Sequence, residues 1–291
     1  MKWQKKIDQL LAWWEKLTHR HPFLALAQDL TERFFEHDVG QAAAALAYYL
    51  IFTFFPFLVF LSMLLGFFQI PQLDVASELH RFLPAEIIGL INLFLEHISE
   101  VRSTSILIFG LVFTVYSAMR AVDCLMRGVY RAYGIKNQRG PVLHQITVFG
   151  YTIFMMISIF ASLVLITVGS NLLTFVSRYF PISPTFITLW NSLRFVILAA
   201  IFFMCLTLLY GLSFKNMPPL RHLYTGAFAS LAAWLLFSFG FAFYVENLGR
   251  YSLLYGSLGA VIVLLLWLYL SATMLLMGAE VNAALDCRRK K

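Results

Sequence analysis

Six long apolar runs occupy most of this chain, and its charged residues lie mainly between them. The first run, 39–70, contains no charged residue. A helix needs roughly 20 apolar residues to cross about 30 Å of hydrocarbon, so this run is long enough to span a bilayer. The other five runs follow along the chain at 105–126, 145–170, 190–214, 223–245 and 259–277. Because the runs lack the alternating pattern of barrel strands, they predict an all-α polytopic membrane protein with six transmembrane helices.

The domain organisation follows from these runs. Residues 39–281 are predicted to form the six-helix membrane domain. Residues 1–38 are predicted to be a cytoplasmic amphipathic segment, and 282–291 a basic cytoplasmic tail. Charged residues make up only 13% of the chain, whereas soluble domains carry about 25%. The sequence therefore leaves no room for a folded domain outside the membrane.

Two segments between or before the runs have amphipathic patterns. From Trp3 to Leu17, apolar residues fall on one helix face and charges on the other, which is typical of a helix in the headgroup layer. Packing of that face on the protein's own loops is the alternative. In the insertion 71–104, an apolar stripe from Ile87 to Ile98 follows Pro84 and predicts an outer amphipathic helix. That helix would pack on the bundle, anchor at the surface, or act as a lid.

The distribution of basic residues predicts the orientation. A cytoplasmic N-terminus places 17 of the 22 Lys and Arg residues in cytoplasmic segments and leaves five outside. The positive-inside rule then favours both termini in the cytoplasm. The net charge of +7 is explained by this asymmetry, with membrane lipids as expected partners. Nucleic-acid binding is not expected, because the chain offers no folded basic platform.

Two local features predict how the helices are shaped and packed. Pro56 lies inside the first span and predicts a kink, because proline removes one backbone hydrogen bond and clashes with the preceding turn. Gly226 and Ser230 are small residues one turn apart in the fifth span. Small residues at this spacing predict a close approach between two helix backbones.

Four polar residues inside the spans are the candidate site. Arg120 and Asp123 stand three apart near the inner end of the second span, and Glu280 and Asn282 lie at the inner end of the sixth. Charges at membrane depth are unfavourable and mark functional positions by default. We predict that the four residues form one intramembrane polar cluster, in which Arg120 would contact an anion. The alternative is that they are end-of-helix groups reaching headgroup water.

Enzyme motifs are missing from the sequence. There is no Gly-x-Ser-x-Gly, no phosphate-binding loop and no His-Glu-x-x-His. His19, His21, His37 and Asp38 come nearest to a metal cluster, but they lie in a segment without a partner scaffold. The sequence therefore predicts no enzyme and no catalytic residue, cofactor or metal.

Several motifs together resemble a known family. They are Gln41-Ala-Ala-Ala-Ala-Leu-Ala-Tyr-Tyr49, Tyr130-Arg-Ala-Tyr-Gly134, Tyr255-Gly-Ser-Leu-Gly-Ala260 and Gly278-Ala-Glu-Val-Asn-Ala283. With these motifs, residues 40–285 resemble the YihY/BrkB family of bacterial inner-membrane proteins. The last motif is the most specific, because an acid within such a string is unusual in a span. The resemblance implies a plasma-membrane protein of cell-envelope biology, with export of a lipid or lipid-linked glycan. It also implies that an old ribonuclease label of the family is a misassignment.

Two functional hypotheses of different classes stay open at this point. The first is a transporter or flippase for a lipid or lipid-linked substrate. The second is a non-transporting scaffold or regulator of envelope assembly, and transport of a small solute is a further alternative. The sequence does not specify the substrate, the energy coupling or the oligomeric state.

Overall fold

The computed structural model describes residues 22–67, 87–89, 91, 104–136, 139–177, 184–248 and 257–289. Its long elements are helices α1 (Pro22–Glu36), α2 (Val39–Phe67), α3 (Thr104–Ala132), α4 (Pro141–Ser177), α5 (Pro184–Leu212), α6 (Tyr224–Leu248) and α7 (Ser257–Arg289). A short 3₁₀ turn, Leu220–His222, precedes α6. Helices α2 to α7 are long and apolar enough to cross a membrane. The six predicted transmembrane helices are confirmed.

Local chemistry explains where several helices begin and end. Helices α1, α4 and α5 begin at Pro22, Pro141 and Pro184, and proline fits a first helical position because its missing N–H would have no partner there. Helix α3 ends in a Schellman turn at Gly134, whose φ is 61°. There the Ile135 N–H donates to the Tyr130 carbonyl at 2.9 Å, and the Gly134 N–H donates to the Arg131 carbonyl at 3.0 Å.

Helix α7 corrects the predicted end of the membrane domain. The tail predicted from residue 282 continues the helix as far as Arg289. Asn282, Ala283 and Ala284 are buried, because their small side chains fit against the bundle. The boundary between 281 and 282 is therefore not a boundary in the fold.

The core lies in two clusters between the helices. The larger one includes Leu46, Met126, Leu209, Leu223 and Leu276 and joins α2, α3, α5 and α7 with the start of α6. The smaller one lies between the last turns of α6 and the first turns of α7. Helix α7 packs against α1, α2, α3 and α6, so it is the element through which most of the bundle is connected.

Pro56 meets α3 where α3 carries a glycine. Helix α2 continues through Pro56, and the predicted kink stays a prediction. A Cβ atom at Gly110 would lie 3.4 Å from the Pro56 carbonyl oxygen and 3.5 Å from the Phe60 nitrogen. The absence of a side chain at Gly110 therefore permits the close backbone approach of α2 and α3.

The insertion between α2 and α3 is described at four positions only. Ile87 and Ile88 are buried, and Ile87 and Ile91 belong to or pack against the smaller cluster with Phe241 and Val263. At these positions the predicted apolar stripe faces the bundle. The remainder of 71–104 and the predicted helix from Trp3 to Leu17 lie outside the described residues.

Candidate functional site at the charged end of the bundle

One end of the bundle holds the ion pairs and most of the polar contacts between helices. It is formed by α1, the starts of α2, α4 and α6, and the ends of α3, α5 and α7, and we call it the charged end. Arg139 donates to the carbonyl groups of Leu212 and Phe214 at the end of α5, where a cation also complements the helix dipole. His222 Nδ1 lies 2.9 Å from Asp286 Oδ1, connecting α7 to the turn before α6. The motif 278–283 lies among these contacts.

Gly278 opens the backbone of α7 to two hydroxyl groups. The Tyr210 hydroxyl donates to the Leu275 carbonyl at 2.6 Å, and the Ser230 hydroxyl donates to the Met274 carbonyl at 3.0 Å. A side chain at position 278 would lie over these carbonyls, which are three and four residues back along the helix. A methyl group there would overlap both hydroxyl oxygens. Glycine at 278 therefore allows α5 and α6 to bind α7 directly.

Asn282, one turn further along the same face, caps the start of α6. The Gly226 N–H donates to Asn282 Oδ1 at 2.6 Å, and Asn282 Nδ2 donates to the Leu223 carbonyl at 3.0 Å. The N–H groups in the first turn of a helix have no partner within it. Leu223 stands at the capping position before Tyr224 and has no side-chain oxygen to accept such a bond. An amide from a neighbouring helix supplies the acceptor instead.

The predicted close contact at Gly226 and Ser230 is confirmed. A Cβ atom at Gly226 would overlap the Gly278 carbonyl and the Asn282 side chain. Ser230 lies against Gly278 from the same face of α6. Helices α6 and α7 therefore cross at a pair of glycines.

Glu280 points away from this crossing toward α1. Its side chain is 2% exposed, with Oε1 2.7 Å from His37 Nδ1 and Oε2 3.6 Å from Arg33 Nη1. Arg33 also pairs with Asp29 at 2.9 Å. We call Asp29, Arg33, His37 and Glu280 the Glu280 cluster. It connects α1 and the turn before α2 to the end of α7.

The end of α3 is attached to the same cluster. Arg33 donates to the Ala132 carbonyl and Arg131 donates to the His37 carbonyl, both at 3.4 Å. Burial lowers the pKa of Arg33, but the hydrogen bond and charge of Asp29 outweigh it and leave that pKa above its ordinary value. The guanidinium therefore stays charged and holds α1, α3 and α7 together.

Asp123 forms a separate contact between α3 and α4. Its Oδ1 lies 2.7 Å from His144 Nε2, and its Oδ2 lies 2.9 Å from Arg127 Nη2. Both carboxylate oxygens are thus engaged. Arg120 is exposed, and its guanidinium carbon lies 6.0 Å from the centroid of the Tyr49 ring.

The predicted single cluster of four residues is corrected by these contacts. Glu280 binds α1, Asp123 binds α4, Asn282 binds α6, and Arg120 faces outward. Positions 280 and 282 differ by about 200° around a helix, so they face different neighbours. Asp123 takes Arg127 because an acid four residues before a base is a favourable helical pair. The functional role of the four residues stays a prediction.

Sequence reasoning missed the partners of the two acids. Arg33 and His37 precede the first span, and His144 begins the third, so none of them lies at the centre of an apolar run. The useful signal was the position of charged and histidine residues just beyond span ends. His37, which the sequence places among the residues nearest to a metal cluster, contacts Glu280.

Within the part of the chain that the structure describes, no group of three or more His, Cys, Asp and Glu residues could hold a metal ion. His19 and His21 lie outside that part. The expectations that the protein is not an enzyme and takes no metal or cofactor stay predictions.

Comparison with known proteins gives consistent matches across the chain. The family model described as Virulence factor BrkB matches residues 30–291. The ribonuclease-like protein YfkH of Bacillus subtilis is 27% identical over 267 residues, which cover 92% of this chain and 97% of that protein. A UPF0761 membrane protein of Xanthomonas euvesicatoria is 25% identical over 299 residues, covering 98% of this chain and 66% of the relative. Another, from Xanthomonas axonopodis, is 26% identical over 298 residues, covering 97% and 66%.

This chain therefore spans about two thirds of the length of the two Xanthomonas proteins. No solved structure matches it.

Proposed function

The chain belongs to the virulence factor BrkB family and is a multi-pass membrane protein, and from that premise we propose that it transports or flips a lipid or lipid-linked substrate. The proposed location is the bacterial plasma membrane, with both termini in the cytoplasm. The observation that carries the proposal is the burial of Glu280 within a span, where it pairs with Arg33 of α1, a helix that is not a span, and with His37 of the turn that follows it.

The energetics of buried ion pairs support this reading. Removing two charges from water is so unfavourable that well-packed apolar residues often stabilise a fold as well or better. The best-attested use of such a pair is to select one arrangement over another. Glu280, Arg33 and His37 would then hold the charged end closed in one state of a transport cycle.

The connectivity of α7 suggests how release of the cluster would act. Helix α7 contacts α1 through Glu280 and contacts α6 through Gly278 and Asn282. Separation of α1 from Glu280 would leave α6 and α7 joined, so the two would move as a pair. Movement of that pair relative to α2 and α3 would open the charged end.

Lipid movement in vesicles tests the proposal. The full chain is reconstituted into liposomes with a fluorescent phospholipid, and dithionite bleaches the fraction in the outer leaflet. We expect faster exchange than in empty liposomes, and a rate about tenfold lower for Glu280→Gln, equivalent to about 1.4 kcal/mol in the barrier. Glu36→Gln, an exposed glutamate on α1, is the matched control and should leave the rate unchanged. Exchange no faster than in empty liposomes would contradict the proposal for that lipid class.

A non-transporting scaffold is the second candidate, and one observation favours it. The polar groups of Asn282, Tyr210 and Ser230 are used in binding one another's helices. This part of the distinctive motif serves assembly and needs no substrate. A scaffold predicts normal folding without lipid exchange, together with cross-linking of the chain to one defined membrane protein in cells.

A further inference from the structure

A single exposed face of α3 carries apolar residues at one end and arginines at the other. Phe109, Val112 and Tyr116 are 66%, 62% and 60% exposed. The exposed positions continue at intervals of four, seven and four residues, which keeps them on one side of a helix. We call this face the α3 stripe, and its members are Phe109, Val112, Tyr116, Arg120, Arg127 and Arg131.

The depth of the stripe matches the two parts of a phospholipid. Arg120 is eleven residues from both Phe109 and Arg131, or about 16 Å along the helix axis in each direction. Arg131 lies at the charged end, where α3 stops. With Arg120 at the boundary between headgroups and acyl chains, Phe109 lies about 16 Å inside the hydrocarbon, near the middle of its thickness of about 30 Å, and Arg131 lies beyond the headgroups.

The neighbours of Arg120 leave its charge facing lipid. Both oxygens of Asp123 are engaged by His144 and Arg127. The contact described for Arg120 is the Tyr49 ring at 6.0 Å, which is the outer limit for attraction between a cation and an aromatic ring. A charge exposed at this depth is unfavourable unless an anion accompanies it.

Arg127 can contribute to the same anion. Its side chain is 66% exposed although it pairs with Asp123. A guanidinium has five N–H donors, and Asp123 Oδ2 accepts from Arg127 Nε and Nη2 only. Donors therefore remain on the exposed side, and arginine is well suited to phosphate oxygens.

We propose that the α3 stripe binds a phospholipid with an anionic headgroup in the leaflet at the charged end. Its phosphate lies at the level between Arg120 and Arg127, and its acyl chains lie along Tyr116, Val112 and Phe109. The site rests on the proposed function only in being the place where a lipid substrate would be held. Binding itself requires no transport.

Native mass spectrometry of the purified full chain tests the site, with phosphatidylglycerol and phosphatidylcholine as probes. Wild type should retain phosphatidylglycerol with at least about tenfold higher affinity. R120Q should remove this preference, whereas K215Q, which removes an exposed charge from the α5–α6 loop, should keep it. Equal retention of the two lipids by wild type, or an equal loss in K215Q, would overturn the proposal.

Three further measurements distinguish lipid binding from misfolding of the variant, from binding of free anions and from dimerisation. R120K keeps the charge and should keep the preference, so a folded R120K without it also overturns the proposal. Excess inorganic phosphate should not displace the lipid; full displacement would indicate a site for free anions. A wild-type dimer without bound phosphatidylglycerol that becomes a monomer in R120Q would show that the stripe binds a second copy of this chain.

The binding and transport experiments fail independently. Retained phosphatidylglycerol without lipid exchange in liposomes would leave this site intact and contradict the proposed function. Lipid exchange by wild type, together with unchanged phosphatidylglycerol binding by R120Q, would support the proposed function and contradict this site.

Discussion

Asn282 on α7 fills the capping position that Leu223 cannot fill at the start of α6. Leu223 is completely buried, so the position serves the core, while its carbonyl and the Gly226 N–H both bind the Asn282 amide. At the start of α6, Leu223 thus contributes the core contact, and Asn282 of α7 contributes the cap.

Replacement of Asn282 should therefore destabilise the fold through two backbone groups at once. Asn282→Ala leaves a buried N–H and a buried carbonyl lone pair without this partner, with an expected loss of about 2–4 kcal/mol. Asn282→Asp keeps the acceptor for Gly226 but places a second oxygen against the Leu223 carbonyl in a buried site, so a loss at least as large is expected. Thermal unfolding in detergent measures both. Asn216→Ala, in the exposed α5–α6 loop, is the control, and an equal effect there would contradict the capping role.

Two glycines should respond in opposite ways to the same substitution. Gly278→Ala places a methyl group against the Ser230 and Tyr210 hydroxyls and should destabilise the protein by about 1–3 kcal/mol through overpacking. Gly240→Ala, in α6, meets nothing within 4 Å and should stabilise the helix by about 0.5–1 kcal/mol. Unfolding temperatures of the two variants check the difference. A neutral Gly278→Ala would mean that the α6–α7 crossing is less close than described.

The Glu280 cluster should show coupling between its members. Glu280→Gln replaces the carboxylate that contacts both Arg33 and His37, and we expect the effects of Glu280→Gln and Arg33→Gln to be non-additive by about 0.5–3 kcal/mol. A double-mutant cycle on unfolding free energy measures this value. Gly240→Ala combined with Arg33→Gln is the control cycle, because Gly240 lies 16 residues into α6 and far from the charged end, and it should be additive within about 0.5 kcal/mol. Additivity in the first cycle would show that the 3.6 Å approach of Arg33 contributes nothing.

The native cysteines allow the predicted orientation to be tested. Cys287 is exposed near the end of α7, whereas Cys205 is buried. If both termini are cytoplasmic, a membrane-impermeant maleimide should label Cys287 in inverted vesicles and not in intact spheroplasts. Cys287→Ser provides the background. Labelling in intact spheroplasts would reverse the orientation inferred from the basic residues.

The sequence predicted the spans, which depend on composition, but it did not predict which neighbouring helix each polar side chain contacts. The spans follow from apolar runs, and the Gly226–Ser230 contact follows from two small residues one turn apart. The azimuth of Glu280 relative to Asn282 could have been calculated from their spacing. The identity of the helix that each one faces could not, because it depends on how the other helices are arranged.

The missed partners have the same physical origin. His37 and Arg33 are polar residues before a span, and nothing local distinguishes them from other residues in contact with water. Their burial against Glu280 arises only because α1 folds back onto α7. Similarly, the end of α7 reads as a basic tail, although Ala283 and Ala284 make it part of the core.

The cap supplied by Asn282 also has a consequence for biogenesis. Helix α6 leaves the ribosome before α7, so its first turn reaches the insertion machinery while the Gly226 N–H still lacks its acceptor. Water, lipid headgroups or a chaperone must serve that group until α7 arrives. A nascent chain halted between the two helices should therefore be a preferred substrate for membrane quality-control proteases, and it should escape them once α7 has left the ribosome and packed against α6.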